Sequence, residues 1–236
     1  MSRSHYSLQV LWFAVPDAHG RSRTGVLCGI RWAGEWPISE AMAQALLPEE
    51  AIWEEIRTRF KHAGRMSQSI LGRFALHELK SRLGALKPSM SFSMSHSGRT
   101  AVVLGFESQS CGIDLEIGDD HERSTRVVQK FATPMEVALV EDEGLSPWSL
   151  WCAKEALSKA LGTGLQAPLS QYAVDQIDEG VISFTNFKGF CARAWDLDQS
   201  GSHTAHFALV VPEVESADGR ASLKKLPILD WYRKLG

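Results

Sequence analysis

Cys111-Gly112-Ile113-Asp114-Leu115-Glu116-Ile117 and, further along, Trp151-Cys152-Ala153-Lys154-Glu155-Ala156-Leu157-Ser158-Lys159 are the two stretches whose reading decides the fold. The first is β-branched and apolar with acids at alternate positions. A strand's period of two puts Asp114 and Glu116 on one face and turns Ile113, Leu115 and Ile117 to the core. Before the second stretch, Ser146 can cap a helix that opens with Pro147 and stops before Gly162 and Gly164. That helix sets Glu155 and Lys159 one turn apart on one face, with Trp151, Leu157 and Leu161 marking its apolar side. Hard oxygen donors from a strand and a helix suit Mg²⁺, which keeps several waters and takes few protein carboxylates. A lysine beside them suits the neutralisation of phosphate charge. Taken singly, each pair has an ordinary structural explanation: the solvated face of an edge strand, or a helical ion pair contributing about 0.3–0.5 kcal/mol.

Other segments complete a pattern around these two. Phe131-Ala132-Thr133-Pro134-Met135-Glu136 lies between them, and Pro88 followed by Ser93-Met94-Ser95-His96-Ser97 lies upstream. Together the segments resemble the signature of the 4′-phosphopantetheinyl transferase superfamily: a Gly-Ile/Val-Asp-x-Glu strand, Phe-x-Ser/Thr-x-x-Glu, and Trp/Phe-x-x-Lys-Glu-Ala/Ser-x-x-Lys, preceded by Asn-x-Ser-His-Ser. Ser93 stands where the family usually has Asn, Cys111 stands where it has Val or Ile, and the 36 residues between Asp114 and Trp151 make a slightly short spacing. The resemblance covers roughly residues 65–165, and the chain length is similar to the larger, monomeric surfactin-synthetase-activating (Sfp-type) branch.

The resemblance implies an α+β fold of two similar α/β halves related by a pseudo-two-fold, residues 1–108 and 109–236, with coenzyme A in the cleft between them. It implies transfer of 4′-phosphopantetheine from coenzyme A, the co-substrate, to a serine of an apo carrier protein or carrier domain. It also implies Mg²⁺ on Asp114, Glu116 and Glu155, and phosphate contacts from Arg65, Arg73, Ser95, His96, Lys154 and Lys159. Lys159 would stabilise charge in the reaction, and Glu155 or Glu136 would accept the serine proton. Glu136 also has a structural explanation, because Thr133, Pro134 and Glu136 read as a capping box. Two rival functions use the same residues: Mg²⁺-dependent hydrolysis of a nucleotide pyrophosphate, and carrier binding without turnover.

Composition agrees with a globular chain: 44% hydrophobic and 22% charged residues over 236 exclude disordered and fibrous classes. The apolar run Leu8–Val15 is too short for a membrane span and lacks a cleavage site, so it reads as a first strand. A cytoplasmic monomer that binds neither membrane nor nucleic acid is expected. Four scattered cysteines, 28, 111, 152 and 191, argue for buried free thiols over zinc or disulfides. Charge is segregated: Arg57–Arg99 holds nine Lys/Arg against Glu78 alone, and Glu107–Glu143 holds ten acids against three Lys/Arg. A ligand with several phosphates and a divalent metal would use both regions, and two solvated faces would look the same.

The rest reads as follows. Ala18–Gly25 is a polar loop. Ile38–Leu47, Glu49–Lys61 and Ser67–Leu83 are helices, the last with an apolar ridge of Leu71, Ala75, Leu79 and Leu83 and a basic face of Arg73, His77 and Lys80. Ser91–Ser97 and Thr100–Phe106 form a hairpin, with His96 at its turn, where a phosphate contact is expected more than burial in the core. Ser124–Lys130 and Thr133–Glu143 are helical, and strands follow around Val181–Thr185, Cys191–Asp196 and Thr204–Val211 before a basic tail at Leu223–Leu235. His203 and His206 fall on opposite faces of a strand. The order strand, two helices, hairpin recurs in both halves.

Overall fold

A computed structural model of the chain describes residues 5–84, 89–108, 110–118, 131–166, 168–198, 204–212 and 217–235. Its first sheet has the order β1-β2-β4-β3, from β1 (Tyr6–Pro16), β2 (Ser22–Trp32), β3 (Ser91–Ser97) and β4 (Thr100–Phe106). Its second has the order β5-β9-β8-β7-β6, from β5 (Gly112–Ile117), β6 (Val174–Asp178), β7 (Val181–Phe184), β8 (Phe190–Asp198) and β9 (Thr204–Pro212). All the pairings are antiparallel. The helices are α1 (Glu40–Leu46), α2 (Glu50–Arg59), α3 (Ala63–Leu83), α4 (Pro134–Asp142), α5 (Pro147–Ala160), α6 (Ala217–Lys224) and α7 (Ile228–Arg233), with 3₁₀ turns at Gly164–Gln166 and Leu169–Tyr172. The fold is therefore α+β, as expected.

The sheets are buried on both faces, which is why β4 reads Ala-Val-Val-Leu without polar alternation. Val26, Cys28, Ile30, Ala101 and Val103 turn to α1–α3, with Ile70, Leu71, Ala75 and Leu79 of α3 closing that layer. The opposite face, with Leu27, Val102, Leu104 and Phe106, packs with Ile113, Leu115, Phe207 and Leu209 of the second sheet. The far face of the second sheet is covered by Cys152, Ala153, Ala156 and Leu157 of α5. All four cysteines are free and buried, and no helix among the described residues is long and apolar enough to cross a membrane.

Several expectations need correction. The loop assigned to Ala18–Gly25 runs into β2, a full partner of β1. Its glycines hid the strand: a Cβ at Gly25 would lie 2.2 Å from the ring of Phe13, and one at Gly29 would meet Leu235 and Trp231. The basic tail is two helices whose Leu223, Ile228, Trp231 and Leu235 enter the core shared by both sheets. β6 was also unread. The anticipated repeat of strand, two helices and hairpin does not hold, since the first half places a hairpin before three helices. Ser124–Lys130, Pro88 and His203 lie outside the described residues.

Candidate active site

The two deciding stretches meet because β5 carries a glycine. A Cβ on Gly112 would lie 1.8 Å from the carbonyl oxygen of Ala156, so only glycine lets α5 lie this close to the strand. One turn beyond that contact, Lys159 Nζ reaches Asp114 Oδ1 at 2.6 Å and donates to the Ile113 carbonyl at 3.0 Å. Glu155 Oε2 is 4.0 Å from the same Nζ. Ser146 and Pro147 start the helix as the sequence predicts, with Ser146 Oγ accepting from Trp148 N.

From the other side the acids are held by serines. β3 runs beside β5 without a main-chain ladder, and its alternate hydroxyls bridge the gap: Ser93 accepts from Ile113 N at 3.1 Å and Ser97 from Ile117 N at 3.0 Å. Ser95 Oγ donates to Asp114 Oδ1 at 2.8 Å, and Ser97 Oγ to Glu116 Oε2 at 3.3 Å. Ser97 was not among the expected site residues, although its place in the period-two series Ser91, Ser93, Ser95, Ser97 was visible in the sequence.

Electrostatics mark the cluster as a set of mutually repelling acids. Burial, then the charge of Asp114, and more weakly that of Glu116, push the Glu155 carboxyl up to about 7 against the pull of Lys159. Asp114 is buried, and its Oδ2 has no hydrogen-bond partner. Cys152, wholly buried alongside, has its thiol pushed well up by burial and by Asp114 and Glu116. Among the described residues no three His, Cys, Asp or Glu side chains are grouped closely enough to hold a metal ion as they stand. An orphaned buried carboxylate oxygen amid repelling acids, all hard donors, nevertheless fits a divalent cation.

His96 sits in β3, one residue inside the turn, with a half-buried ring. Its Nδ1 is buried without a partner, and burial, then Lys159 and Arg65, lower its pKa below the ordinary value. Arg65 is exposed on the first turns of α3, near enough for its charge to be felt at His96. Arg73 is drawn aside, with one guanidinium nitrogen on Ser69 Oγ and another on Glu55 Oε1, both at 2.6 Å.

Lys154 and Glu136 come together, but not with the acid cluster. The Lys154 side chain is wholly buried, with Nζ 2.7 Å from Glu136 Oε1 and donating to Phe131 O at 2.9 Å. Burial lowers its pKa while Glu136 works to restore it. Glu136 Oε2 accepts from Thr133 N and Oε1 from Val174 N, both at 2.8 Å, and the capping box is present. Both carboxylate oxygens of Glu136 are thus engaged, and the structure places Lys154 and Glu136 together in the core, apart from the acid cluster. The signal for this was the capping box itself.

The α5 N-terminus is tied to the second sheet by Asp196, a residue none of the motifs contains. Its Oδ2 accepts from Ser146 N at 2.6 Å, and its Oδ1 accepts from Ser149 Oγ at 2.5 Å and lies 2.6 Å from His206 Nδ1. Burial would raise the Asp196 pKa, yet the bonds from His206, Ser149 and Ser146 hold it below the ordinary carboxylate value. An open groove of about 940 Å³ lies at the other end of the β3–β5 seam, lined by Arg23, Ser91, Glu107, Ser110 and Phe190 among others. It lacks the convergent acids, so the cluster on β5 and α5 remains the candidate for chemistry.

With this geometry in view, comparison with known proteins shows what the chain is similar to. Residues 110–211 match the model of the 4′-phosphopantetheinyl transferase superfamily, the same family to which the motifs point, and the segment carries Asp114, Glu116, Glu155 and Lys159. Among individual proteins, 4′-phosphopantetheinyl transferase Sfp of Bacillus subtilis (strain 168) is 33% identical over 101 residues, 41% of this chain and 44% of that protein. A second Bacillus subtilis 4′-phosphopantetheinyl transferase is 31% identical over the same shares. A phosphopantetheinyl transferase of Thraustochytrium is 25% identical over 165 residues, 63% of this chain and 56% of that protein. The chain thus spans under half the length of the two Bacillus relatives it matches.

Proposed function

We propose that this chain transfers 4′-phosphopantetheine from coenzyme A to a serine hydroxyl of an apo carrier protein, leaving 3′,5′-ADP. The observation that carries the reading is the meeting of Asp114 and Glu155 at Lys159, with Glu116 near enough for its charge to act on Glu155 and a buried oxygen of Asp114 left unpartnered. The names of the matched relatives supply the reaction class.

In this reading the serine oxygen attacks the phosphorus that bears the pantetheine arm, the bond to the 5′-phosphate oxygen of 3′,5′-ADP breaks, and the serine proton leaves to a base. Chemistry of this kind depends on positioning and charge neutralisation. Lys159 faces the acid cluster and is partly exposed, so its ammonium can shift onto pyrophosphate oxygens. Glu155 serves as the base, because it faces the acid cluster and Lys159 while the Glu136 oxygens are engaged by Thr133 N, Val174 N and Lys154. Arg65 supplies positive charge for coenzyme A phosphates and His96 an unpartnered ring nitrogen as a hydrogen-bond donor, with Ser95 holding Asp114 in place. Asp114, Glu116 and Glu155 would hold Mg²⁺, which when bound neutralises pyrophosphate charge and polarises the phosphorus.

The test is intact-mass measurement of a panel of apo carrier proteins incubated with the chain, coenzyme A and Mg²⁺. A gain equal to one phosphopantetheine, with one 3′,5′-ADP released per carrier, is expected. Release of 3′,5′-ADP without any carrier would instead establish hydrolysis, and carrier binding without mass gain would establish a non-catalytic protein.

A further inference from the structure

The face of the second sheet beneath α5 is apolar over one stretch, where Ala192, Ala194, Ala208 and Val210 pack on the helix. One row interrupts it. Glu116 on β5 is the register partner of His206 on β9, and His206 is the register partner of Asp196 on β8. Directly opposed residues of antiparallel strands share a face with Cβ atoms about 4.5–5.5 Å apart. An acid, a histidine and an acid therefore lie in line across three adjacent strands, and the first of them belongs to the candidate catalytic cluster.

The row is anchored at its far end. Asp196 takes His206 Nδ1 on one oxygen and the backbone N–H of Ser146 on the other, with Ser149 Oγ added on the first. Both serines lie in the first turn of α5, whose later turns carry Glu155 and Lys159. Trp148 stacks over the imidazole at 6.3 Å and 26°, and Cys152 Sγ contacts the His206 carbonyl at 3.4 Å. His206 is 4% exposed. With Nδ1 committed to Asp196, the ring is fixed and Nε2 is the nitrogen that remains to act on a neighbour, Glu116 being the register partner on the adjacent strand. A leucine would fill this apolar setting at lower desolvation cost, so packing alone does not account for the histidine.

We propose that His206, oriented by Asp196, is a positioning residue that sets the Glu116 carboxylate and locks the acids of β5 in register with Glu155 and Lys159 on α5. The proposal rests on the reading of the acid cluster as the divalent-metal and catalytic site. It is tested in the full chain with His206→Leu, His206→Gln, which keeps an amide donor near the Nε2 position, and Asp196→Asn, which keeps an acceptor for Ser146 but reverses the donor relation to the ring.

Mn²⁺ binding is followed by electron paramagnetic resonance without coenzyme A or carrier, beside kcat and KM for carrier modification. Loss of an outer partner of a metal ligand costs about 10–100-fold in affinity or activity. His206→Leu and Asp196→Asn should each lose Mn²⁺ affinity and kcat by about that factor with KM for the carrier unchanged, and His206→Gln should recover most of both. Mn²⁺ affinity and kcat unchanged in His206→Leu overturn the proposal, as does an equal loss in His206→Gln that follows only the fraction of folded protein. Should His206→Leu not fold, unchanged Mn²⁺ affinity in Asp196→Asn overturns it. Absence of Mn²⁺ binding by the unaltered chain would overturn the acid-site reading itself, which separates that failure from one confined to His206.

Discussion

Glu155→Gln should make the metal-free protein more stable at pH 8 while removing its activity. Burial and the neighbouring Asp114 raise the Glu155 carboxyl from an ordinary value of 4.5 to about 7. A carboxyl raised in the folded state keeps a proton there that the unfolded chain releases. Stability therefore falls as pH climbs from 4.5 to about 7, and stays lowered above that. At about 1.4 kcal/mol per pH unit, that interval gives a ceiling of roughly 3 kcal/mol. Sharing of charge with Asp114 and Glu116, and loss of the 4.0 Å contact to Lys159, bring the expected gain to about 1–2 kcal/mol. The assay is urea unfolding in EDTA across pH 5 to 8: the variant should lead at pH 8, and the difference should shrink toward pH 5. Saturating Mg²⁺ should reverse the order, since it stabilises only the chain that binds it. A variant less stable than the parent at pH 8 in EDTA, or a difference independent of pH, would refute the account of the cluster as acids awaiting a cation.

Glu136→Gln leaves Lys154 charged and buried, so it should lose about 3–5 kcal/mol in urea unfolding, and Glu136→Gln with Lys154→Met should recover much of that. Gly112→Ala would drive a methyl into the Ala156 carbonyl, and a loss of about 3 kcal/mol with a fall in activity is expected in the same assay. Chelation should abolish carrier modification and Mn²⁺ should restore it, which steady-state assays with EDTA and added metal would show. His96→Ala should raise KM for coenzyme A more than KM for the carrier; the reverse pattern would move His96 to a carrier-docking role.

What the sequence made legible was local. The α5 start at Ser146-Pro147, the Thr133–Glu136 box and the β3–β4 hairpin each depend on residues within one turn or one strand pair, and all stand as read. Asp114 and Glu116 could be placed on one face by period alone. Partners distant in sequence could not be assigned. Lys154 and Glu155 are adjacent in the chain, yet on a helix they diverge by about 100°, so one enters the core to meet Glu136 while the other turns to β5. The motif names both as charged and gives no sign of which is buried.

The same limit explains the strand that was missed and the residues that were. In β2, glycines occupy the positions where Phe13 and Trp231 press on the backbone, so the alternation that marks a strand was erased by the packing that requires it. Asp196 and His206 lie beyond Lys159 in sequence, and only the register of β8, β9 and β5 brings them into line with Glu116. The acids come from a strand, their lysine and third acid from a helix, their serines from the other sheet and their anchor from β8. Each attachment fixes a different degree of freedom: Gly112 the approach of the helix to the strand, Asp196 its start, Lys159 its end, and Ser95 with Ser97 the rotamers of the acids. Loosening any one should therefore disturb the carboxylates without unfolding the rest, which is the behaviour expected of a site whose precision lies in its supports.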